Sequence, residues 1–330
     1  MPEPVRRKLA VSSWTMLALA LVLAGPTLAG NGGVAPPDPV SGNAENVREL
    51  YWLVLGITGV IFLVVEAALI LFVVRYRGRG RPRDAEGPQV VGHQRLELLW
   101  TAIPVVIVAV LAAAVFYKLP DIENRAEASA PGDYLRIRVE GRQFYWRYVY
   151  PGGKVSVNEV RLPLGRKVEL EITAPAFDVI HSWWVPRLAG KMDAIPGKKN
   201  YIRFSANRAG LYEGQCAEYC GAQHALMLAS ARVVPADEFD AWLRQPPESL
   251  GRQTFEAACA PCHGGNGQGL IGPSLRSSTV VGDAEALRSL LENGKGNMPA
   301  VGKDWDDTQL RALVGYVNRT FGRQGATGGG

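Results

Sequence analysis

Sulfur and imidazole are scarce in this sequence, which holds four cysteines, four histidines and five methionines among 330 residues. So few leave their clustering, rather than their number, to carry the chemistry. Also missing is any basic face interleaved with aromatics. The net charge is only +5, much of it in two short arginine-rich stretches, which excludes nucleic acid as a partner class. Finally, the sequence lacks evenness. Its 47% of hydrophobic residues would suit an ordinary globular protein, but they are strongly segregated along the chain. The length allows two or three domains.

Segregation is strongest in the first third. The stretch "PVRRKLAVSSWTMLALALVLAGPTLAGNGG" puts Arg6, Arg7 and Lys8 before a short apolar core and then small residues. This is a secretory signal pattern over residues 1–29, with Thr27 and Ala29 suited to cleavage before Gly30. Residues 30–45, rich in Gly, Pro and Asn, predict a flexible arm. A hairpin follows over 46–122, in which residues 51–74 and 98–117 each suffice to cross a bilayer, a task for about 20 apolar residues. The loop between them, 75–97, carries Arg75, Arg77, Arg79, Arg81 and Arg83. Positive loops stay in the cytoplasm, so both the N-terminus and everything beyond the second helix lie outside. Glu66 falls mid-span, where an ionisable group faces protein rather than lipid, so the hairpin packs against a partner. Glu97, at the cytoplasmic mouth of the second helix, reads on the residues alone as a solvated helix end.

From Tyr134 the texture changes to short runs of period two: "YLRIRVEG", "FYWRYVY", "KVELEIT", "NYIRFSA" and "ASARVV". Broken by Gly, Pro and Asn, they predict an antiparallel sandwich or barrel over 130–244. Between the last two runs lies "QCAEYCGAQHALM", with Cys216, Cys220, His224 and Met227. A disulfide would suit an exported chain, but it leaves His224 and Met227 without a role. Zinc has no use for a thioether. Soft thiolates with imidazole and methionine point to copper, and a mononuclear blue-copper centre would not use the second thiol. Two bridging thiolates holding two copper ions, each completed by one histidine, use every soft ligand. Met227 and the backbone carbonyl of Glu218 are then weak ligands, one per metal.

At this point "HSWWVP…KMDAIPG…GLYEGQCAEYCGAQHALM" resembles the copper-A domain of subunit II of the haem–copper oxygen reductases, a cupredoxin barrel. "ELLWTAIPV" in the second helix and "GRQFYWRYVY" at the start of the barrel are similar to the same subunit. The resemblance implies His181, Cys216, Glu218 (through its carbonyl), Cys220, His224 and Met227 as copper-A ligands. It further implies that the Glu218 carboxylate binds magnesium at the boundary with subunit I, and that Glu97 sits at the mouth of a proton channel entering that subunit. The tryptophan at which electrons arrive in this family aligns with Phe144, a departure from the pattern. With Tyr145 and Trp146 beside it, these three aromatics are the candidates for electron transfer.

"QPPES" opens a linker at 245–250. Beyond it, "FEAACAPCHGGNGQG" carries C-x-x-C-H, the attachment signature of c-type haem. Cys259 and Cys262 are the expected thioether positions and His263 an axial ligand; a zinc knuckle is the alternative. The exported compartment favours haem, as does Met298, the only methionine after His263 and so the available sixth ligand. Met/His ligation raises the potential, as suits an electron carrier. Residues 251–322 resemble a small class I cytochrome c. The closing helix "TQLRALVGYVNRTF" places Leu310, Leu313, Val314 and Val317 on one face, and 323–330 are expected to be a disordered tail. Two cysteines for copper and two for haem leave none for a disulfide.

The expected fold is therefore a multidomain membrane protein: a two-helix transmembrane hairpin, an all-β cupredoxin-like barrel and an all-α class I cytochrome c domain. The implied function is that of subunit II of a caa-type cytochrome c oxidase in a bacterial plasma membrane. Electrons from a cytochrome c or a cytochrome bc complex would pass from haem c to copper-A and on to subunit I, for oxygen reduction coupled to proton translocation; subunit III is a further expected partner. A copper-A nitric oxide reductase subunit is the alternative, and a free-standing electron carrier would need no membrane hairpin.

Overall fold

The computed structural model describes residues 36–76, 89, 91–123, 134–246 and 249–322. The expected signal peptide, residues 30–35 of the arm, most of the arginine-rich loop, part of the linker and the tail at 323–330 lie outside the described residues. Two compact units emerge, one from residues 45–126 and the other from 40–44 with 127–330.

The first unit is a pair of long helices, α1 (Gly42–Arg75) and α2 (Gln94–Glu123). Both are long and apolar enough to cross a membrane. Their aliphatic side chains are exposed on all sides, Leu63 and Val74 among them, as expected of helices solvated by lipid. Each helix outruns its apolar stretch. The α1 start at Gly42, rather than near residue 51, follows from capping: Ser41 Oγ accepts from the Ala44 N–H at 3.1 Å. At the head of α2, His93 Nδ1 accepts from Leu96 N–H while Glu97 Oε1 accepts from His93 N–H, at 3.2 and 3.1 Å. This is a reciprocal cap of the capping-box kind. Lys118 near the end of α2 reaches Glu49 near the start of α1 at 2.5 Å, so the two helices run antiparallel.

The second unit begins with ten strands: β1 (Leu135–Arg142), β2 (Tyr145–Val149), β3 (Val155–Val157), β4 (Glu159–Pro163), β5 (Lys167–Thr173), β6 (His181–Trp184), β7 (Met192–Ala194), β8 (Asn200–Ser205), β9 (Gly210–Cys216) and β10 (Leu228–Val234). They form two five-stranded sheets, ordered β3-β2-β1-β5-β8 and β4-β10-β9-β6-β7. Two pairings, β1 with β5 and β10 with β4, are parallel, which corrects the expectation of a purely antiparallel barrel. Alternation of apolar residues fixes which face points inward but not the direction of a neighbour. Val168, Leu170 and Ile172 of β5 face the core, together with Trp146, Tyr148 and Trp183. On the opposite face of β5, Glu169 is held by Arg136 at 2.6 Å and Arg203 at 2.7 Å. The arm expected at 30–45 is not free throughout. Val40 is fully buried, its N–H bonds Arg187 O, its carbonyl accepts from Asn207 N–H, and Ser41 bridges Ala206. An apolar residue able to complete an edge pairing outweighs the composition of its neighbours.

Helix α3 (Ala236–Arg244) closes the barrel by burying Phe239 completely and setting Trp242 edge-on to Tyr150. The chain then runs through α4 (Leu250–Thr254), a π-helical turn (Phe255–Cys259) and α5 (Ala260–His263). Next come α6 (Ala284–Asn293) and α7 (Asp307–Phe321), capped by the side chains of Asp283 and Asp306. Leu310, Leu313, Val314 and Val317 of α7 are all buried, as the periodicity predicts. Gly251 lets α4 cross α7 closely, because a Cβ there would overlap the Ala312 carbonyl. This second core also takes in Tyr145, Val155 and Val157 from the barrel.

Candidate metal and haem centres

His181 opens β6, Cys216 ends β9, and the β9–β10 loop carries the remaining donors. Trp183 of β6 pairs with Cys216 of β9, which brings His181 to the loop. The loop is cinched by Cys216 N–H to Met227 O at 2.9 Å and Ala217 N–H to Ser182 O at 2.8 Å. Inside it, the two thiol sulfurs lie 4.0 Å apart, Cys220 Sγ is 3.7 Å from His224 Nδ1 and 3.8 Å from Met227 Sδ, and Cys216 Sγ is 3.2 Å from Glu218 O. One nitrogen of His181 and both thiols fall within 4.8 Å of one another. All six donors expected from the resemblance thus converge.

The electrostatics call for a cation. Burial pushes the Cys216 thiol up, but the His181 ring and backbone groups at Ser182 and Glu218 outweigh it and bring it below its ordinary value. Burial, and then the neighbouring Cys216 sulfur, push Cys220 in the opposite direction. Two thiols this close cannot both ionise without positive charge between them, and metal binding requires both as thiolates. His181 Nε2 is 3.1 Å from Asp178 Oδ1, while its Nδ1 is buried without a hydrogen-bond partner. That orphaned nitrogen, two thiols, a thioether, a second imidazole and a carbonyl suit copper rather than zinc.

Asp178 went unnoticed in the sequence. It orients His181 as carboxylates orient metal-bound histidines, and it also accepts from Gln143 N–H at 3.2 Å. The spacing, an aspartate three residues before a ligand histidine, is its one signal. Gly141 passes so close to His181 that a Cβ would sit 2.9 Å from the ring. The three candidate aromatics separate. Phe144 packs against Gly221 of the copper loop, Trp146 is fully buried and meets the His181 ring edge-on at 6.0 Å, and Tyr145 points to the other side of the sheet. There its hydroxyl accepts from Trp305 Nε1–H at 2.8 Å.

In the C-terminal domain the π-helical turn ends at Cys259, and α5 carries Cys262 and His263. Such turns inside helices mark functional segments. Burial raises the Cys259 thiol to about 12, so it is protonated and protected before any attachment. His263 Nδ1 lies 2.8 Å from Pro273 O, which fixes the tautomer and leaves Nε2 for iron. Gly272 makes this approach possible, since a Cβ there would come 2.9 Å from the ring. Met298 sits in a tight turn, paired with Lys295 through both backbone bonds, and packs on the second core. The residues present fit covalent haem. Glu97, outside this unit, is exposed and caps α2 together with His93.

Three family models match successive parts of the chain. Residues 30–117 match the family described as "Cytochrome C oxidase subunit II, transmembrane domain", 153–234 match "Cytochrome C oxidase subunit II, periplasmic domain", and 247–317 match "Cytochrome C oxidase, cbb3-type, subunit III". "Cytochrome c oxidase subunit 2" of Alkalihalophilus pseudofirmus is 34% identical over 310 residues, covering 85% of this chain and 89% of the relative. That of Thermostichus vulcanus is 31% identical over 286 residues, covering 71% and 85%. The crystal structure of the periplasmic domain of subunit II of cytochrome oxidase of Bradyrhizobium japonicum is 31% identical and covers 39% of this chain and 100% of that one, with a TM-score of 0.33. The matched domains imply copper-A and haem c as cofactors and an extracytoplasmic placement for the barrel. By sequence match over nearly its whole length, the chain belongs to the cytochrome c oxidase subunit II family, in a form that carries a C-terminal cytochrome c domain.

Proposed function

We propose that this chain is the electron-accepting subunit of a caa-type oxidase in a bacterial plasma membrane. Electrons from a cytochrome c or a cytochrome bc complex arrive at haem c, held by Cys259, Cys262, His263 and Met298. They pass to copper-A, held by His181, Cys216, the Glu218 carbonyl, Cys220, His224 and Met227, and leave for subunit I, where oxygen is reduced and protons are translocated. The observation that carries this reading is the convergence of six soft and weak donors, five at the β9–β10 loop and His181 on β6, with a second, haem-binding set in the same chain. When bound, each cofactor takes and releases one electron at a time. The protein's part is to fix the ligands in dry, rigid surroundings: Asp178 holds His181, Pro273 holds His263, and the loop bonds hold both thiols. Phe144 and Trp146 lie on the copper side of β2, and Tyr145 faces the haem-binding domain. The Glu218 carboxylate is assigned to magnesium at the face toward subunit I, and subunit III completes the assembly.

Optical and electron paramagnetic resonance spectra of the purified full chain test the central reading. A mixed-valence copper signal and a haem that survives denaturation are expected; absence of both overturns it. Glu97 is assigned to the mouth of the proton channel. Glu97→Gln retains the acceptor that caps His93, so the helix persists while the proton site is lost. Slower turnover and proton uptake in the assembled enzyme are expected, and unchanged values overturn the assignment. A copper-A nitric oxide reductase subunit shares the ligand set but is not favoured, since the matched relatives are oxidase subunits.

A further inference from the structure

Strand β2 is buried on both faces. Trp146 and Tyr148 point into the barrel, whereas Tyr145 and Arg147 point outward and are nevertheless 3% and 4% exposed. What covers them is the C-terminal domain of the same chain, which shares a core with Tyr145, Val155 and Val157. At the centre of this contact is a charge cluster. The barrel supplies two buried guanidiniums, Arg142 and Arg147, but one buried carboxylate, Glu140, which takes Arg142 at 3.1 Å and Arg147 at 3.0 Å. Arg138 adds a third, half-exposed cation at 3.8 Å from Glu140. The second acid, Asp306, comes from the haem-binding domain, is itself 41% exposed at the rim, and pairs with the buried Arg147. Arg147 Nε also donates to Gln309 Oε1 at 2.7 Å, and Gln309 in turn donates to Thr254 Oγ1 at 3.3 Å. The two buried arginines are matched by two acids only when the domains are together. While the domains stay docked, removing Asp306 would leave the buried Arg147 short of a counter-charge, which is destabilising, so the cluster behaves as a latch that depends on that carboxylate.

The latch also aims the docked domain. Between Met298 and Gln309 the chain makes three contacts with the barrel. Lys303 Nζ stands 5.6 Å from the centre of the Phe177 ring, next to Asp178. Trp305 bonds Tyr145, with ring centroids 6.4 Å apart at 75°. Asp306 and Gln309 hold Arg147. Tyr145 is joined by one peptide bond to Trp146, whose ring meets His181.

We infer that the haem-binding domain is locked onto the barrel, with Arg147 as the positioning residue that completes a buried ion cluster across the interface and holds the Trp305–Tyr145 contact in register between the two centres. The domain is thus no swinging tether, and electron transfer runs within a fixed complex. One electron lost on the haem side is gained on the copper side, with no bond or proton moved. Only this last consequence rests on the haem and copper reading of the previous section.

The test uses the full chain in the assembled oxidase, with Asp306→Asn as the main variant. Asparagine still caps α7 but removes the carboxylate, so both domains are expected to fold; an unchanged reduced-haem band and copper signal check this. Hydrogen exchange needs neither cofactor. In the wild type, the Val155–Val157 strand and residues 303–309 are expected to be protected, and Asp306→Asn is expected to speed their exchange about ten-fold or more by opening the interface locally. Flash-initiated electron transfer between haem and copper should be insensitive to viscosity and salt in the wild type. In the variant it should slow and become viscosity-dependent. Arg147→Lys keeps the charge but not the planar fork, so intermediate behaviour is expected. Fast exchange of β3 in the wild type, a wild-type rate that falls with viscosity, or an Asp306→Asn chain that matches the wild type in both readouts would overturn the latch. Missing haem and copper signals would instead refute the functional reading and leave hydrogen exchange to judge the docking.

Discussion

Asp178 shows how much of the proposed copper site would lie in a residue that never touches the metal. The carboxylate occupies His181 Nε2 and leaves the buried Nδ1 without a partner, and it is itself steadied by Gln143 N–H. Outer-shell groups of this kind are worth about 10–100-fold in metal affinity. Asp178→Ala is therefore expected to weaken copper binding by about that factor in competition with a chelator, with the fold retained; unchanged affinity would refute the role. The thiols, thioether and imidazoles of the proposed site stand out in the sequence because such groups are rare enough to be counted and too soft to be idle. Asp178 does not, because a carboxylate has no distinctive chemistry until the turn before β6 presents it to a ring. Likewise, the capping role of His93 beside Glu97 depends on a backbone geometry that residue types alone do not announce.

Among the helices, Gly251 is the point of closest approach. A methyl group there would run into the Ala312 carbonyl and crowd Tyr316, forcing α4 away from α7. Overpacking of this sort costs about 1–3 kcal/mol. Gly251→Ala is thus expected to lower the melting temperature of the C-terminal domain and to shift the π-helical turn that carries Cys259; thermal unfolding followed at the haem band would report both. Periodicity made the inner face of α7 and the strands of the barrel readable, since core burial follows 3.6- and 2-residue repeats. It could not show which strands pair in parallel, because that depends on residues far apart in the chain. Nor could composition show that Val40 and Ser41, in a Gly- and Pro-rich stretch, dock on the barrel. It also missed that capping starts α1 well before its apolar stretch.

On the scale of the whole molecule, the shared core between barrel and haem-binding domain has an alkaline limit. Burial raises the Tyr145 phenol to about 12 from an ordinary 10.0, with Arg142 and the Trp305 hydrogen bond partly offsetting it. A group whose folded value is raised contributes its full stability below the unfolded value and loses it as pH rises through the folded one. Tyr145 therefore adds no pH dependence near neutrality, and its contribution to the interface is lost from about pH 10 upward. Ultraviolet titration should find a late tyrosinate that Tyr145→Phe abolishes, and that variant should melt with a shallower alkaline decline. The barrel also imposes an order in time. β4 finds its parallel neighbour only in β10, and the ligand loop lies between β9 and β10. As the chain emerges from its N-terminal end, Cys216 and Cys220 are laid down before the strand that shuts their sheet. All six donors that would hold copper precede Leu228–Val234, so the strand that completes this sheet also fixes the C-terminal end of the ligand loop.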